Sequence, residues 1–146
     1  MGLRRGLFIA LAAVALPAGA LEYRSVAVEA AILYDAPSTK ARRIAILSRY
    51  YPVEVVVTLD KWLKVRDATG ALAWVEAARL TERRMVLVTA PEVEVRQAPA
   101  ADAPVVFRAE KDVALELIEF AGQGWLRVRH RDGQSGYLRI DQVWGA

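Results

Sequence analysis

The 146-residue chain contains no cysteine and a single histidine. The first absence excludes disulfides, thiolate metal sites, thiol catalysis and a lipid-modified cysteine. The second leaves any Ser-His-Asp arrangement with one possible base, His130. That residue stands between Arg129 and Arg131 beside a turn, where an imidazole is expected to be exposed and solvated. Ser25, Ser38, Ser48 and Ser135 have no second histidine to pair with. Carboxylates such as Glu92, Glu94, Asp132 and Asp141 fall on outward strand positions and turns, where ordinary solvated charges sit. A phosphate-cradling glycine loop is also missing. Gly122-Gln123-Gly124 runs into a strand, so no helix terminus completes an anion site. The expectation is a protein that is not an enzyme and has neither a cofactor nor a metal.

Long apolar runs are equally scarce. The only one without a charge is Leu7 to Leu16, which follows Arg4 and Arg5 and precedes the small residues Ala18-Gly19-Ala20. That is the pattern of a secretory signal peptide over residues 1–20, and its apolar part is about half of the ~20 residues a bilayer span needs. The mature chain is expected to begin near Leu21, to be exported to the periplasm, and to have no transmembrane segment; an uncleaved N-terminal anchor is the alternative. Without Arg4 and Arg5 the 20 basic residues become 18 against 17 acidic ones, a net charge of +1. A sequence-independent nucleic-acid binder needs a concentrated basic surface, so no nucleic-acid partner is expected.

Sustained helical periodicity is absent after the leader, and Thr39 to Ser48 is expected to form at most a short turn. Apolar residues instead recur at every second position, as in Val53, Val55, Val57, then Leu63, Val65, and later Leu115, Leu117 and Leu126, Val128. Period two marks half-buried strands. The turns Ala68-Thr69-Gly70 and Arg131-Asp132-Gly133 separate such runs, which makes a hairpin after each of two tryptophans.

The pattern occurs twice. Trp62-Leu63-Lys64-Val65-Arg66, Gly70 and Ala73-Trp74-Val75 return 63 residues later as Trp125-Leu126-Arg127-Val128-Arg129, Gly133 and Gly136-Tyr137-Leu138. Upstream, Leu33-Tyr34-Asp35-Ala36-Pro37 aligns with Val95-Arg96-Gln97-Ala98-Pro99 at an offset of 62, so one residue has been added in Ala121-Gly122-Gln123-Gly124. A unit of this length is a small domain made twice. The boundary is expected in Thr81-Glu82-Arg83-Arg84, giving domains over 21–82 and 83–146. Domains this small bury only ~60% of their unfolded surface, and the linker has no Gly or Ser run, so the copies are expected to share an interface. The chain is expected to be monomeric.

These segments carry a family resemblance. With Leu33-Tyr34-Asp35-Ala36-Pro37-Ser38, the two Trp-Leu-Lys/Arg-Val-Arg strands and Gly133-Gln134-Ser135-Gly136-Tyr137-Leu138, the chain resembles a tandem of bacterial Src-homology-3-type (SH3b) domains, of the exported stand-alone kind seen in Gram-negative bacteria. The short strands, tight turns and lack of helices imply an all-β protein of small barrels, and the resemblance implies two tandem small SH3-like β-barrels, after a cleaved signal peptide. Ala73 stands where the family commonly has Gly, and Tyr34 where it often has Arg, as the second copy does at Arg96.

Strand alternation nominates the binding residues. If Leu63 and Val65 point inward, Trp62 and Arg66 point outward; likewise Trp125 and Arg129, Trp74, Tyr137, Tyr34 and Arg96. Exposing an indole forgoes on the order of 2–3 kcal/mol of burial energy, so repeated outward tryptophans are candidates either for binding or for sealing a contact between the copies. In the family the Trp and Tyr border the peptide groove, and the resemblance transfers this to Trp62, Tyr34 and Trp125. Arg66, Arg96 or Arg129 could pair with a ligand carboxylate. The expected role is that of a periplasmic or cell-envelope binding module that recognises peptidoglycan peptides or an extended peptide through aromatic grooves, its partner a cell-wall peptide or an envelope protein. The alternative is a protein-protein interaction scaffold or a regulatory subunit of an envelope protein or cell-wall hydrolase.

Overall fold

The computed structural model describes Gly2 and residues 21–146. The signal peptide expected over residues 1–20 lies outside the described residues, apart from Gly2. From residue 21 onward the chain is all-β, with two seven-stranded antiparallel sheets built from consecutive halves. The first contains β1 (Glu22–Val26), β2 (Ala30–Tyr34), β3 (Arg43–Ser48), β4 (Pro52–Leu59), β5 (Trp62–Arg66), β6 (Leu72–Glu76) and β7 (Leu80–Thr81). The second repeats it as β8 (Met85–Val88), β9 (Glu92–Arg96), β10 (Val105–Glu110), β11 (Ala114–Gly122), β12 (Trp125–Arg129), β13 (Ser135–Arg139) and β14 (Val143–Trp144). A one-turn 3-10 segment, Ala77–Arg79 and then Ile140–Gln142, precedes the last strand of each half.

The strand orders are β3-β2-β6-β5-β4-β1-β7 and β10-β9-β13-β12-β11-β8-β14. These orders overturn the expected barrels: β3 and β7 are edges that do not pair with each other, nor do β10 and β14, so both sheets are open. The physical reason lies at the edges. β7 and β14 are two residues long and bond only to β1 and β8, too short to carry a closing ladder. β3 itself corrects the expectation of a turn over Thr39 to Ser48. Only Leu47 along it is buried, as befits an edge strand whose outer side meets water, so its sequence lacks the alternation that marks inner strands.

Each open sheet gathers its inward residues into one core. Val26, Leu33, Val53, Leu63, Val65 and Val75 form the first, and Val88, Val95, Leu115, Leu126, Val128 and Leu138 the second. The added residue in the second copy is absorbed within β11. Both β4–β5 and β11–β12 have a register shift, at Val55/Val57 and Leu117/Glu119, and β11 has a further one between Phe120 and Gly122. A β-bulge accepts an extra residue without turning the rest of the strand over, so Leu126 and Val128 keep their inward positions.

The copies touch directly. Ser25, the only buried polar residue among the described residues, donates its hydroxyl to the Arg83 carbonyl at 2.7 Å. Tyr23 of β1 meets Trp144 of β14, and Arg84 lies over the Tyr23 ring while donating to the Gly145 carbonyl at 3.0 Å. Gly145 has φ +107, and a Cβ there would come within 3.2 Å of Pro52. The aromatic contact joining the copies is thus that of Tyr23 with Trp144.

Candidate functional site

On the outer face of the first sheet, Tyr34, Trp74 and Lys64 are neighbours in register across β2, β6 and β5, and Trp62 lies opposite Glu76. The rings are only partly available. Tyr34 is 5% exposed, with the Trp62 ring edge-on to it at 5.5 Å and 84°. Alternation placed Tyr34 on the outer face, yet a side chain on that face can still be covered by a neighbour. Trp62 and Trp74 are half-buried. The loop after Tyr34 is tied back by the Asp35 N–H donating to the Arg42 carbonyl at 3.0 Å and the Arg42 N–H donating to the Asp35 carboxylate at 3.1 Å. Between that loop and Trp62 runs a shallow cleft of about 400 Å³, bordered by Pro37, Thr39, Lys61, Trp62 and Glu76.

The second copy has its cleft in the same place, about 390 Å³, bordered by Glu92, Glu94, Arg96, Trp125 and Arg139. Arg96, in Tyr34's position, donates to the Ala103 carbonyl at 2.8 Å and pairs with Glu94 at 2.6 Å. It thereby braces the loop after β9, whereas in the first copy the corresponding loop is tied by Asp35 and Arg42 and the Tyr34 ring meets Trp62. Arg139 stands where the first copy has Glu76, and its guanidinium lies over Trp125, 5.1 Å from the ring centre. A cation is attracted to an indole face and a carboxylate is not. The paired tryptophans therefore meet opposite charges: Trp62 has Glu76 beside it, whereas Trp125 is capped by Arg139.

Arg66 and Arg129 do not join these clefts. They sit at the far ends of β5 and β12, each paired across the sheet at 3.0 Å with the carboxylate in register, Glu54 or Glu116. Trp74 and Tyr137 line neither cleft. The eight candidates thus divide into an aromatic trio in the first copy, Arg96, Trp125 and Tyr137 in the second, and two structural arginines. Sequence reasoning passed over Glu76 and Arg139. The repeat itself could have found them, because the 63-residue offset that aligns the tryptophans also aligns these opposite charges.

Glu116 has a second partner, Arg83 from the connection between the copies, at 2.9 Å. The Arg83 hydrogen bond, aided by Arg129, holds its carboxyl below the usual range despite partial burial.

The histidine is half-buried instead of solvated. It lies beside the Phe107 ring at 5.9 Å, with Nδ1 3.1 Å from Asp132. No serine among the described residues hydrogen-bonds to it, and no group of three or more His, Cys, Asp or Glu side chains there could hold a metal ion. The sequence has no cysteine, and no nucleophile and base are brought together among the described residues. No helix among the described residues is long and apolar enough to cross a membrane.

Among solved structures, the chain is similar to NlpC2 from Trichomonas vaginalis, with 16% identity, a TM-score of 0.39, and coverage of 84% of this chain and 47% of that one. It is also similar to NlpC1 from the same organism, with 16% identity, a TM-score of 0.40, and coverage of 89% and 48%. An NlpC/P60 family protein from Bacillus cereus gives 18% identity, a TM-score of 0.39, and coverage of 83% and 55%. The chain thus spans about half the length of these proteins. No curated protein matches it. The bacterial SH3 domain family matches twice, over residues 27–82 and 89–145. Two matches that take in most of the chain, each falling on one of the two repeated sheets, mean that it belongs to the bacterial SH3 domain family and carries the domain in tandem.

Proposed function

We propose that this chain is an exported binding module of the cell envelope that works as a protein-interaction scaffold or regulatory subunit, its two domains spanning 21–82 and 83–146. The observation that carries this reading is the mismatch between equivalent clefts. Lys61 and Glu76 border Trp62, while Glu92, Glu94, Arg96 and Arg139 border Trp125. A repeating wall polymer presents the same group to both copies, and unlike clefts gain little from that. A folded partner presents different chemistry to each. Export to the periplasm rests on Arg4, Arg5, the Leu7 to Leu16 run and Ala18-Gly19-Ala20. A second reading, recognition of peptidoglycan peptides through an aromatic groove, is favoured at Trp62, over whose ring no arginine lies among the described residues, unlike Trp125.

Co-sedimentation of protein beginning at Leu21 with purified sacculi separates the readings. The scaffold reading expects no retention on sacculi and a single envelope protein recovered by cross-linking, reduced in both Trp62→Ala and Arg139→Glu. Saturable retention on sacculi that Trp62→Ala abolishes would replace it with wall recognition.

A further inference from the structure

The duplication supplies an internal control for one more feature. In the first copy the Tyr51 ring packs on the core, and its hydroxyl accepts the Ala68 N–H at 3.2 Å, closing the gap behind the β5–β6 turn. The residues at the same places in the second copy are Val113 and Arg131. With no ring there, a cleft of about 490 Å³ opens between residues 112–114 and the β12–β13 turn. Its opposite wall comes from the first copy, through Ser48, Arg49 and Tyr50. That volume lies in the range, about 300–1,000 Å³, typical of sites for small ligands.

The lining is cationic and aromatic. Arg83 and Arg129 converge on one oxygen of Glu116, at 2.9 and 3.0 Å, so a single carboxylate serves two guanidiniums. Arg49 and Arg131 are exposed, and neither forms an ion pair among the described residues. Four arginines thus face two acids, Asp112 and Glu116, leaving an excess of two positive charges. Tyr50 adds a second observation. Its φ is +74°, a left-handed conformation that costs a side-chain-bearing residue roughly 1–2 kcal/mol. Its N–H bonded to the Val26 carbonyl at 3.0 Å and Arg83 over its ring at 5.7 Å hold it against the cleft.

We propose that this cleft between the copies binds a short peptide segment bearing carboxylates, with Arg49 and Arg131 pairing with the carboxylates and Tyr50 covering the peptide's apolar part. Asp112 and Glu116 in the same lining disfavour a dense polyanion, which they would repel. The site is separate from the Trp62 and Trp125 clefts and stands or falls independently of them.

The test is fluorescence anisotropy with a labelled, C-terminally amidated hexapeptide alternating glutamate and alanine, beside the same peptide with glutamine. Wild type is expected to bind the glutamate peptide and not the glutamine one. The double variant Arg49→Ala, Arg131→Ala is expected to weaken binding at least ten-fold, and so is Val113→Tyr, which restores the ring that fills the first copy. Trp62→Ala and Trp125→Ala are expected to bind as wild type does, with thermal melts confirming that every variant is folded. Absence of binding by wild type, equal binding of the glutamine peptide, or unchanged binding in either cleft variant overturns the proposal. Displacement by millimolar inorganic phosphate at constant ionic strength also overturns it, in favour of a plain anion site.

Discussion

Tyr23, in the first strand, meets Trp144, in the last, edge to face, with ring centres 5.5 Å apart and planes at 86°. The contact joins the two copies, and Arg84 reinforces it by lying 5.1 Å above the Tyr23 ring. Because Trp144 is half-buried, Trp144→Ala is expected to cost roughly 2 kcal/mol, less than the ~3–5 kcal/mol for a fully buried large side chain. It is also expected to uncouple the copies, so that calorimetry resolves two unfolding transitions. One transition at the wild-type temperature would contradict this role.

Gly136 and Ala73 occupy the same place in the two copies but tolerate different substitutions. A Cβ on Gly136 would sit 2.6 Å from the Arg96 carbonyl and 2.8 Å from the Val95 side chain. Ala73 is already accommodated as a buried residue. Gly136→Ala is expected to destabilise by about 1–3 kcal/mol through overpacking. Ala73→Gly should cost only about 0.5–1 kcal/mol through backbone entropy, together with its lost methyl contacts. Urea titration of both variants checks the asymmetry, and equal costs would count against it.

Acid stability should depend on Glu116. Its carboxyl titrates below the ordinary 4.5 in the folded protein, first because of Arg83 and then Arg129. A depressed folded pKa contributes stability above the unfolded value and loses it as pH falls through the folded one. Glu116→Gln is therefore expected to flatten the loss of melting temperature on acidification below about pH 4.5. An acid limb as steep as that of wild type would show that other carboxylates carry it.

The alkaline limb has the opposite sign. Burial raises the hydroxyl pKa of Tyr23 and Tyr51 above the ordinary 10.0. Their contribution is present below about pH 10 and is lost as pH rises through the folded values. Tyr51→Phe is expected to cost about 1 kcal/mol at neutral pH, because the Ala68 N–H loses its acceptor. It should also make the melting temperature less sensitive to pH above about 10. Melts across that range read both effects.

Much of the strand plan was legible because it rests on local rules. Alternation marked Leu63, Val65, Leu126 and Val128 as inward, and all four are core residues. The turn residues between them located the β5–β6 and β12–β13 hairpins. β3 was missed because an edge strand with one buried residue has no alternation to read. At the candidate site, alternation brought Tyr34, Trp62 and Trp74 to one face, but the faces say nothing about coverage. Tyr34 is covered by Trp62, and Arg66 is held by Glu54. Those are contacts between strands distant in the chain.

The sequence by itself determined that this is an all-β chain made of one unit used twice, and which residues of each unit turn inward, because period-two hydrophobicity and the repeat offset are local properties. Only the tertiary structure decided that the sheets stay open, since the pattern of a strand does not reveal whether its edge finds a partner. It alone also set Trp144 against Tyr23, Arg139 over Trp125, and an open cleft beside Val113 where Tyr51 fills the first copy. Each depends on which side chains meet across space, and near-identical strands with different neighbours come out differently.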